Sequence, residues 1–291
     1  MSLAGMTLFI SGGSRGIGLA IALRAARDGA NVVIAAKTAA PDPRLEGTIH
    51  TAAAAIEAAG GKALPLVVDI RDEDRVRAAV AETVARFGGI DILVNNASAI
   101  RLTGTLDTPV KRYDLMHGVN GRGTFVCAQA CLPHLVNSPN PHILTLSPPL
   151  VSDAKWFKDF PAYAIAKYTM SLFTLAFAGE FKDRGVAVNS LWPRTAIATA
   201  AVRNEIGGAH MIAACRKPEI VADAAHYILT RPAKECSGHF FLDDEVLLAA
   251  GVREFAQYDM QPGATLQADF FVEALPGMLP ADNLVKPAQT S

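Results

Sequence analysis

Tyr163 and Lys167 stand four residues apart in Tyr163-Ala164-Ile165-Ala166-Lys167, a spacing that sets a phenol and an ammonium on one face of a helix. A phenol has an ordinary pKa of about 10, too high for a base at neutral pH. A nearby cation stabilises the phenolate and lowers that value, which makes the pair a candidate proton-transfer device. Ser147 closes an apolar stretch, His142 to Ser147, and its hydroxyl could hold a substrate oxygen beside the phenol. Tyr-x-x-x-Lys alone is a weak motif and usually surface decoration. Its weight here comes from what precedes it.

Thr7-Leu8-Phe9-Ile10-Ser11-Gly12-Gly13-Ser14-Arg15-Gly16-Ile17-Gly18 reads as a buried strand running through a glycine turn into a helix. Gly12, Gly16 and Gly18 leave room for a phosphate on free N–H groups at the helix N-terminus. An ordinary tight turn is the alternative, but a second apolar strand, Asn31 to Ala36, completes a βαβ opening and favours a dinucleotide. No acid occupies 35–38, where an NAD site usually places one for the ribose 2′-hydroxyl. Lys37, with Arg15, could instead pair with a 2′-phosphate, so NADP is favoured over NAD; two solvated surface cations are the bland alternative. Asp69, at the end of a third strand (63–69), either accepts from an adenine amino group or caps the next helix. A fourth strand, Ile90 to Val94, ends in Asn95-Asn96-Ala97-Ser98, a tip suited to lying against a cofactor, or a common Asn turn. Asn120 falls among Gly118, Gly121 and Gly123 in a helix over 110–135, where a polar side chain can bond freed carbonyls or a trapped water.

Composition sets the frame for these residues. The chain has 291 residues, 51% hydrophobic and 19% charged, with a net charge of −1. That fits one large α/β domain and argues against nucleic-acid or membrane-surface partners. The seven His lack metal-ligand spacing, and Cys127, Cys131, Cys215 and Cys236 suggest no disulfide framework. Cys127 and Cys131 read as small buried fillers, and a reducing cytoplasm is the default. No signal peptide or membrane span is expected. Further helices are expected at 50–59, 72–87, 162–184 and 218–230, a sixth strand at 186–191 and a last strand at 238–244. The element order predicts a three-layer doubly wound parallel sheet, a Rossmann fold.

These motifs together resemble the short-chain dehydrogenase/reductase family over roughly residues 5 to 245. Ser11 to Gly18 is similar to the family's Thr-Gly-x-x-x-Gly-x-Gly turn, with Ser in the Thr position. Asn95-Asn96-Ala97-Ser98 resembles its Asn-Asn-Ala-Gly, and Trp192-Pro193-Arg194-Thr195 its Pro-Gly-x-x-x-Thr segment, with Arg194 in place of Gly. More narrowly, Ser147-Pro148-Pro149-Leu150 through Trp156-Phe157, and Lys37-Thr38 with its Pro-rich insertion, are similar to the hydroxysteroid-dehydrogenase-like branch. Some animal relatives there carry a C-terminal sterol-carrier domain, for which this sequence leaves no room. The resemblance implies a catalytic set of Asn120, Ser147, Tyr163 and Lys167. It implies cofactor contacts from Gly12, Ser14, Arg15, Gly16, Ile17, Gly18, Lys37, Asp69, Ile70, Asn96, Ala97, Ser98, Tyr163, Lys167, Pro193 and Thr195. Activity would be hydride transfer between NAD(P) and an alcohol or carbonyl, in a homodimer or homotetramer built on the helices at 110–135 and 162–184.

Residues 1–250 are expected to form the catalytic domain, with a substrate lid at about 194–217 or, less interestingly, a surface helical hairpin. Trp156, Phe157 and Phe160 could wall a pocket for a small hydrophobic substrate, or be core. Residues 251–291, with the apolar piece 270–275, read as an extension or partner-contacting tail. Reduction of an acyl-thioester ketone or a C=C bond on the same scaffold, or a nucleotide-binding protein without turnover, are the alternatives; the intact set of four argues against the last.

Overall fold

The computed structural model describes residues 2–284 apart from Arg44; that residue of the Pro-rich loop and residues 285–291 of the C-terminal extension lie outside the described residues. Seven strands form one sheet: β1 (Thr7–Ser11), β2 (Asn31–Ala36), β3 (Lys62–Val67), β4 (Ile92–Asn95), β5 (His142–Thr145), β6 (Ala187–Trp192) and β7 (Phe240–Leu242). Their spatial order is β3-β2-β1-β4-β5-β6-β7, and every neighbouring pair is parallel. This is the doubly wound arrangement that the apolar runs predict. Its order reverses between β1 and β4, where such sheets open a crevice at their C-terminal edge.

The helices are α1 (Gly16–Ala26), α2 (Ile49–Ala58), α3 (Glu73–Phe87), α4 (Val110–His117), α5 (Gly123–Leu135), α6 (Pro161–Glu180), α7 (Glu219–Leu229) and α8 (Asp243–Ala249). Period-two side chains divide two cores. Leu8, Ile10, Val32, Ile34, Ile92 and Val94 pack with α1, α2, α7 and α8 on one face. Phe9, Val33, Ala35, Leu93 and Ile143 pack with α3 and α5 on the other. Pro65 lies in β3, an edge strand, where a missing N–H costs no ladder bond on the open side. Cys127 and Cys131 are fully buried on α5 and unpaired, as small fillers.

Three local outcomes differ from the sequence expectations. The third and fifth strands stop at Val67 and Thr145, so Asp69 and Ser147 stand on the loops beyond them. Asp69 does not cap α3: Asp72 does, accepting the Arg75 N–H at 3.0 Å. The last strand is only Phe240–Leu242, because Asp243, Asp244 and Glu245 open α8. Three acids at a helix N-terminus complement its dipole, and this was a readable signal.

A third core lies off the end of the sheet. Trp156, Phe160, Tyr163, Tyr168, Trp192, Phe270 and Phe271 pack there with Met116 and Val272. Residues 255–284 are thus packed on the fold rather than extended from it. They are tied by isolated bridges, Thr195 to Ala268 and Gln267 to Leu279, in place of regular strands. Phe271 sits at φ +67°, the one described non-glycine residue in the left-handed region. An aromatic residue there costs on the order of 1–2 kcal/mol, so the surrounding rings must hold it. Its ring centroid lies 5.4 Å from Tyr168, 5.9 Å from Trp192 and 6.3 Å from Tyr163.

Candidate active site

The glycine turn and the Asn tip meet in the β1/β4 crevice, and side-chain-to-backbone hydrogen bonds lock them together. Ser11 Oγ accepts from the N–H groups of Asn96 and Ala97, both at 3.1 Å, while Asn96 Nδ2 donates to the Ser11 and Gly12 carbonyls at 3.0 Å. Glycine is required twice. Gly12 has φ +70°, and a Cβ there would meet Ala97 Cα at 2.9 Å. A Cβ on Gly18 would reach Asn96 Nδ2 at 2.5 Å and the Gly12 carbonyl at 2.7 Å. Gly18 therefore serves the close approach of α1 to the sheet. Arg15, the residue before α1, makes no side-chain cap, so the first-turn N–H groups remain available to an anion.

The two candidate phosphate-binding cations are both engaged. Arg15 donates to the carbonyls of Glu46 (2.9 Å) and Gly47 (2.7 Å), and Lys37 Nζ lies 3.9 Å from Asp69. Asp69 itself is gripped by Arg71 at 2.6 Å, which with Lys37 holds its carboxyl below the ordinary range against the opposing effect of burial. Asp69 and Lys37 thus stand together at the β2–β3 tips, and Ile70 is buried in the core beside them.

The helix expected over 110–135 is continuous but underwound into a π-turn, Gly118–Arg122, between α4 and α5. Asn120, fully buried in it, uses its freed position to bond Ala99 twice: Oδ1 accepts the Ala99 N–H (2.8 Å) and Nδ2 donates to the Ala99 carbonyl (3.1 Å). The partner is the loop after β4, not the helix's own carbonyls. A π-turn at a functional site is a common association.

Tyr163 and Lys167 lie in the first turns of α6, started by Pro161 at its first position. Lys167 Nζ donates to the Leu146 carbonyl at 2.5 Å and lies 4.8 Å from the centre of the Trp192 ring. Among the described residues none bonds the Tyr163 hydroxyl, and the buried Ser147 Oγ and Thr195 Oγ1 have no partner either. Burial, then the negative charge of Asp269, pushes the Tyr163 phenol well above its ordinary value. Burial draws the Lys167 ammonium down to about 7, against the pull of Asp269. In the chain by itself the phenol is therefore raised, where the Tyr-Lys spacing predicts a lowering.

A cavity of about 160 Å³ brings Tyr163 and Lys167 together with Asn96, Ser98, Pro193 and Ile17. Its apolar wall comes from Ile100, Trp192, Ile197, Val202, Ile206 and Phe270, and its remaining acid is Asp269. Ser147 and Asn120, both fully buried, do not line it, and neither do Gly12, Ser14, Arg15, Gly16, Gly18, Lys37, Asp69, Ile70, Ala97 or Thr195. Trp156 and Phe160 are core rather than wall. Arg194, where the resemblance expects glycine, needs no left-handed backbone; it turns away to bond Asp244 and Glu245, each at 2.5 Å. Asp269 and Phe270 were missed by sequence reasoning, although an acid leading the run Phe270-Phe271-Val272 was a visible anomaly.

A nicotinamide dinucleotide fits this set of residues. The donors are the uncapped α1 N-terminus, the braced glycine turn and the orphaned hydroxyls of Ser147 and Thr195. Among the described residues no helix is long and apolar enough to cross a membrane, and no group of metal-ligating side chains gathers.

The short chain dehydrogenase family model matches residues 6–206. The chain is 57% identical over 274 residues to hydroxysteroid dehydrogenase-like protein 2 of Danio rerio and 56% identical to that of Homo sapiens, covering 94% of this chain and 65% of each relative. It thus spans about two thirds of the length of these relatives. A Xanthomonas campestris structure described as a candidate dehydrogenase superposes with a TM-score of 0.91 at 61% identity, covering 94% of this chain and all of that one. A short chain dehydrogenase of Mycobacterium thermoresistibile gives 0.90 at 54% identity, covering 96% of this chain and all of that one. A more distant match, an NADH-dependent reductase complexed with NAD, has a TM-score of 0.67 at 23% identity and shares the fold. With its glycine turn, π-turn asparagine and cavity-facing Tyr-Lys pair on a parallel sheet of this order, the chain belongs to the short-chain dehydrogenase family of oxidoreductases, on its hydroxysteroid-dehydrogenase-like branch.

Proposed function

We propose that the chain interconverts an alcohol and a carbonyl on a hydrophobic substrate, with NADP(H) preferred over NAD(H). The observation that carries this reading is the pairing of an unbonded Tyr163 hydroxyl with Lys167 at the wall of a mostly apolar cavity. Tyr163 Oη gives a proton to the substrate oxygen in reduction and takes it back in oxidation. Ser147 Oγ, otherwise without a partner, hydrogen-bonds the same oxygen. Lys167 Nζ, anchored on the Leu146 carbonyl, holds a positive charge beside the phenol and ties α6 to the loop that carries Ser147. Asn120 fixes the Ala99 loop behind them and anchors the route by which protons return.

The residues that would hold the dinucleotide are those of the glycine turn (Gly12, Ser14 to Gly18), Asn96 to Ser98, Pro193 and Thr195, with Asp69 and Ile70 towards the adenine. When bound, the cofactor supplies the hydride, and in its oxidised form a positive ring that offsets the desolvation of Tyr163. The NADP preference rests on the missing acid at 35–38 and on Lys37 and Arg15. At 160 Å³ the cavity is small for a substrate, which supports a lid at 194–217 that opens on Val202 and Ile206. Exposed Leu172 and Leu175 on α6 and Phe125 on α5 support a homo-oligomer.

Titration with NADPH and with NADH, followed by nicotinamide fluorescence, tests the reading. Tighter binding of NADPH by roughly tenfold is expected from one 2′-phosphate contact. Preference for NADH would overturn the cofactor assignment, and binding of neither would overturn the enzyme reading.

A further inference from the structure

The mechanism above leaves one charged group at the cavity wall without a task. Asp269 lines the same cavity as Tyr163 and Lys167, more than a hundred positions further along the chain. Its backbone is pinned on both sides. The Asp269 N–H donates to the Arg194 carbonyl at 2.9 Å, Ala268 is bridged to Thr195, and Trp192 Nε1 donates to the Phe270 carbonyl at 2.8 Å. Two residues on, Phe271 is held in a left-handed conformation by the ring cluster. A chain so constrained fixes where the carboxylate stands.

The carboxylate itself is poorly satisfied. One oxygen accepts the neighbouring Phe270 N–H at 2.6 Å. Among the described residues the other has no donor, and no cation pairs with Asp269: Lys167 is committed to Leu146, Arg194 to Asp244 and Glu245, and Arg216 to Asp259. A half-buried carboxylate with an idle oxygen, in a residue that lines a mostly apolar cavity, is costly. Burial and the nearby Asp243 raise its carboxyl to about 7 while Lys167 opposes that shift. Such a group is retained at a cavity wall when a ligand completes it.

We propose that Asp269 selects the substrate: its free oxygen accepts a hydrogen bond from a hydroxyl borne by the substrate body, and its charge turns away substrates that carry a carboxylate near the reacting carbonyl. The substrate class is then a hydroxylated, otherwise apolar ketone or the corresponding diol, and not an oxo acid. This rests on the oxidoreductase reading for its reacting carbonyl, but the selection itself is a property of binding. A site built around a polar group discriminates strongly between ligands that satisfy it and ligands that do not.

The test uses the full chain with NADPH at about pH 8, above the raised value of the Asp269 carboxyl, and three matched rings: cyclohexanone, 3-hydroxycyclohexanone and 3-oxocyclohexanecarboxylate. Binding is read from the fluorescence of Trp192, which lines the cavity, and turnover from NADPH absorbance in the same samples. The wild-type chain is expected to bind the hydroxyketone at least roughly tenfold more tightly than the oxo acid, with cyclohexanone between them. Asp269→Asn and Asp269→Ser are each expected to bring the hydroxyketone and the oxo acid to within about threefold of one another, since both remove the charge. An unchanged ratio in these variants, a wild-type chain that prefers the oxo acid, or one that binds none of the rings would overturn the proposal. The wild-type preference is read on the native chain, so the proposal can be refuted even where a variant fails to fold. Selection that depends on Asp269 without NADPH consumption would uphold it and sink the oxidoreductase reading; turnover with no dependence on Asp269 would do the reverse.

Discussion

The two walls of the crevice are built by different means. On the nucleotide side, the β1 turn and the β4 tip are joined by hydrogen bonds among adjacent strand ends, with Ser11 and Asn96 as the fasteners. On the side of the proposed substrate cavity, residues 264–281 hang from isolated bridges and from one strained phenylalanine among rings. The first wall derives its precision from regular secondary structure and close backbone approach. The second derives it from side-chain packing between segments far apart in sequence. One consequence is that the nucleotide wall tolerates almost no added atom, whereas the substrate wall depends on atoms already there.

The largest effect should come from the residue that joins the two walls. Tyr163→Phe removes the proposed proton donor and should lower kcat by at least about 10³-fold, while NADPH affinity by fluorescence stays within a fewfold of wild type. Full turnover in that variant would break the assignment. Phe271→Ala should cost about 3–5 kcal/mol, the range for losing a buried aromatic. Urea unfolding would measure it, and a loss below 1 kcal/mol would mean that the ring cluster does not hold the segment. NADPH affinity should change little in that variant, because the ring belongs to the substrate wall. Gly18→Ala makes the opposite demand. Its methyl would push into Asn96 and the Gly12 carbonyl, costing about 1–3 kcal/mol and weakening NADPH binding. If Gly18→Ala leaves nucleotide affinity intact, the two walls are not as separate as described.

The smallest predicted effect is a change of slope with pH. Asp243 is fully buried, accepting the Arg194 and Asp244 N–H groups on one oxygen while the other has no partner among the described residues. Burial raises its carboxyl from 3.8 to about 7. Between those values the folded chain holds a proton that the unfolded chain has lost. Its stabilising contribution is therefore complete below about pH 4 and is lost as pH rises through about 7. Asp243→Asn should remove on the order of 1–2 kcal/mol of that decline between pH 5 and 8. Parallel pH profiles of wild type and variant, by urea unfolding, would refute it.

The nucleotide wall was legible in the sequence because each part is local. Apolar runs give the strands, the glycines give the turn, and Asn95-Asn96-Ala97-Ser98 follows its strand directly. Tyr163 and Lys167 were legible for the same reason, being one helical turn apart. The resemblance placed Asn120 and Ser147, but not the Ala99 partner of Asn120, which sits on another segment. The substrate wall was not legible. Residues 255–284 show neither a period of two nor one of 3.6, since they form bridges of single residues, and the run 270–275 reads equally well as a tail. Asp269 is ordinary in sequence and unusual only once Tyr163 and Lys167 are beside it.

The position of Phe271 has a consequence in time. During synthesis, Tyr163 emerges 106 residues before Asp269, an interval of roughly 5–20 s at ordinary elongation rates. Late in that interval, once α8 has emerged, the nucleotide wall has its strands and the helices that cover them, while the aromatic face of α6 and β6 still has nothing to cover it. The nascent chain should therefore be able to take up its cofactor before it can recognise a substrate, and its exposed rings should make it a client for chaperones until residues 264–281 arrive.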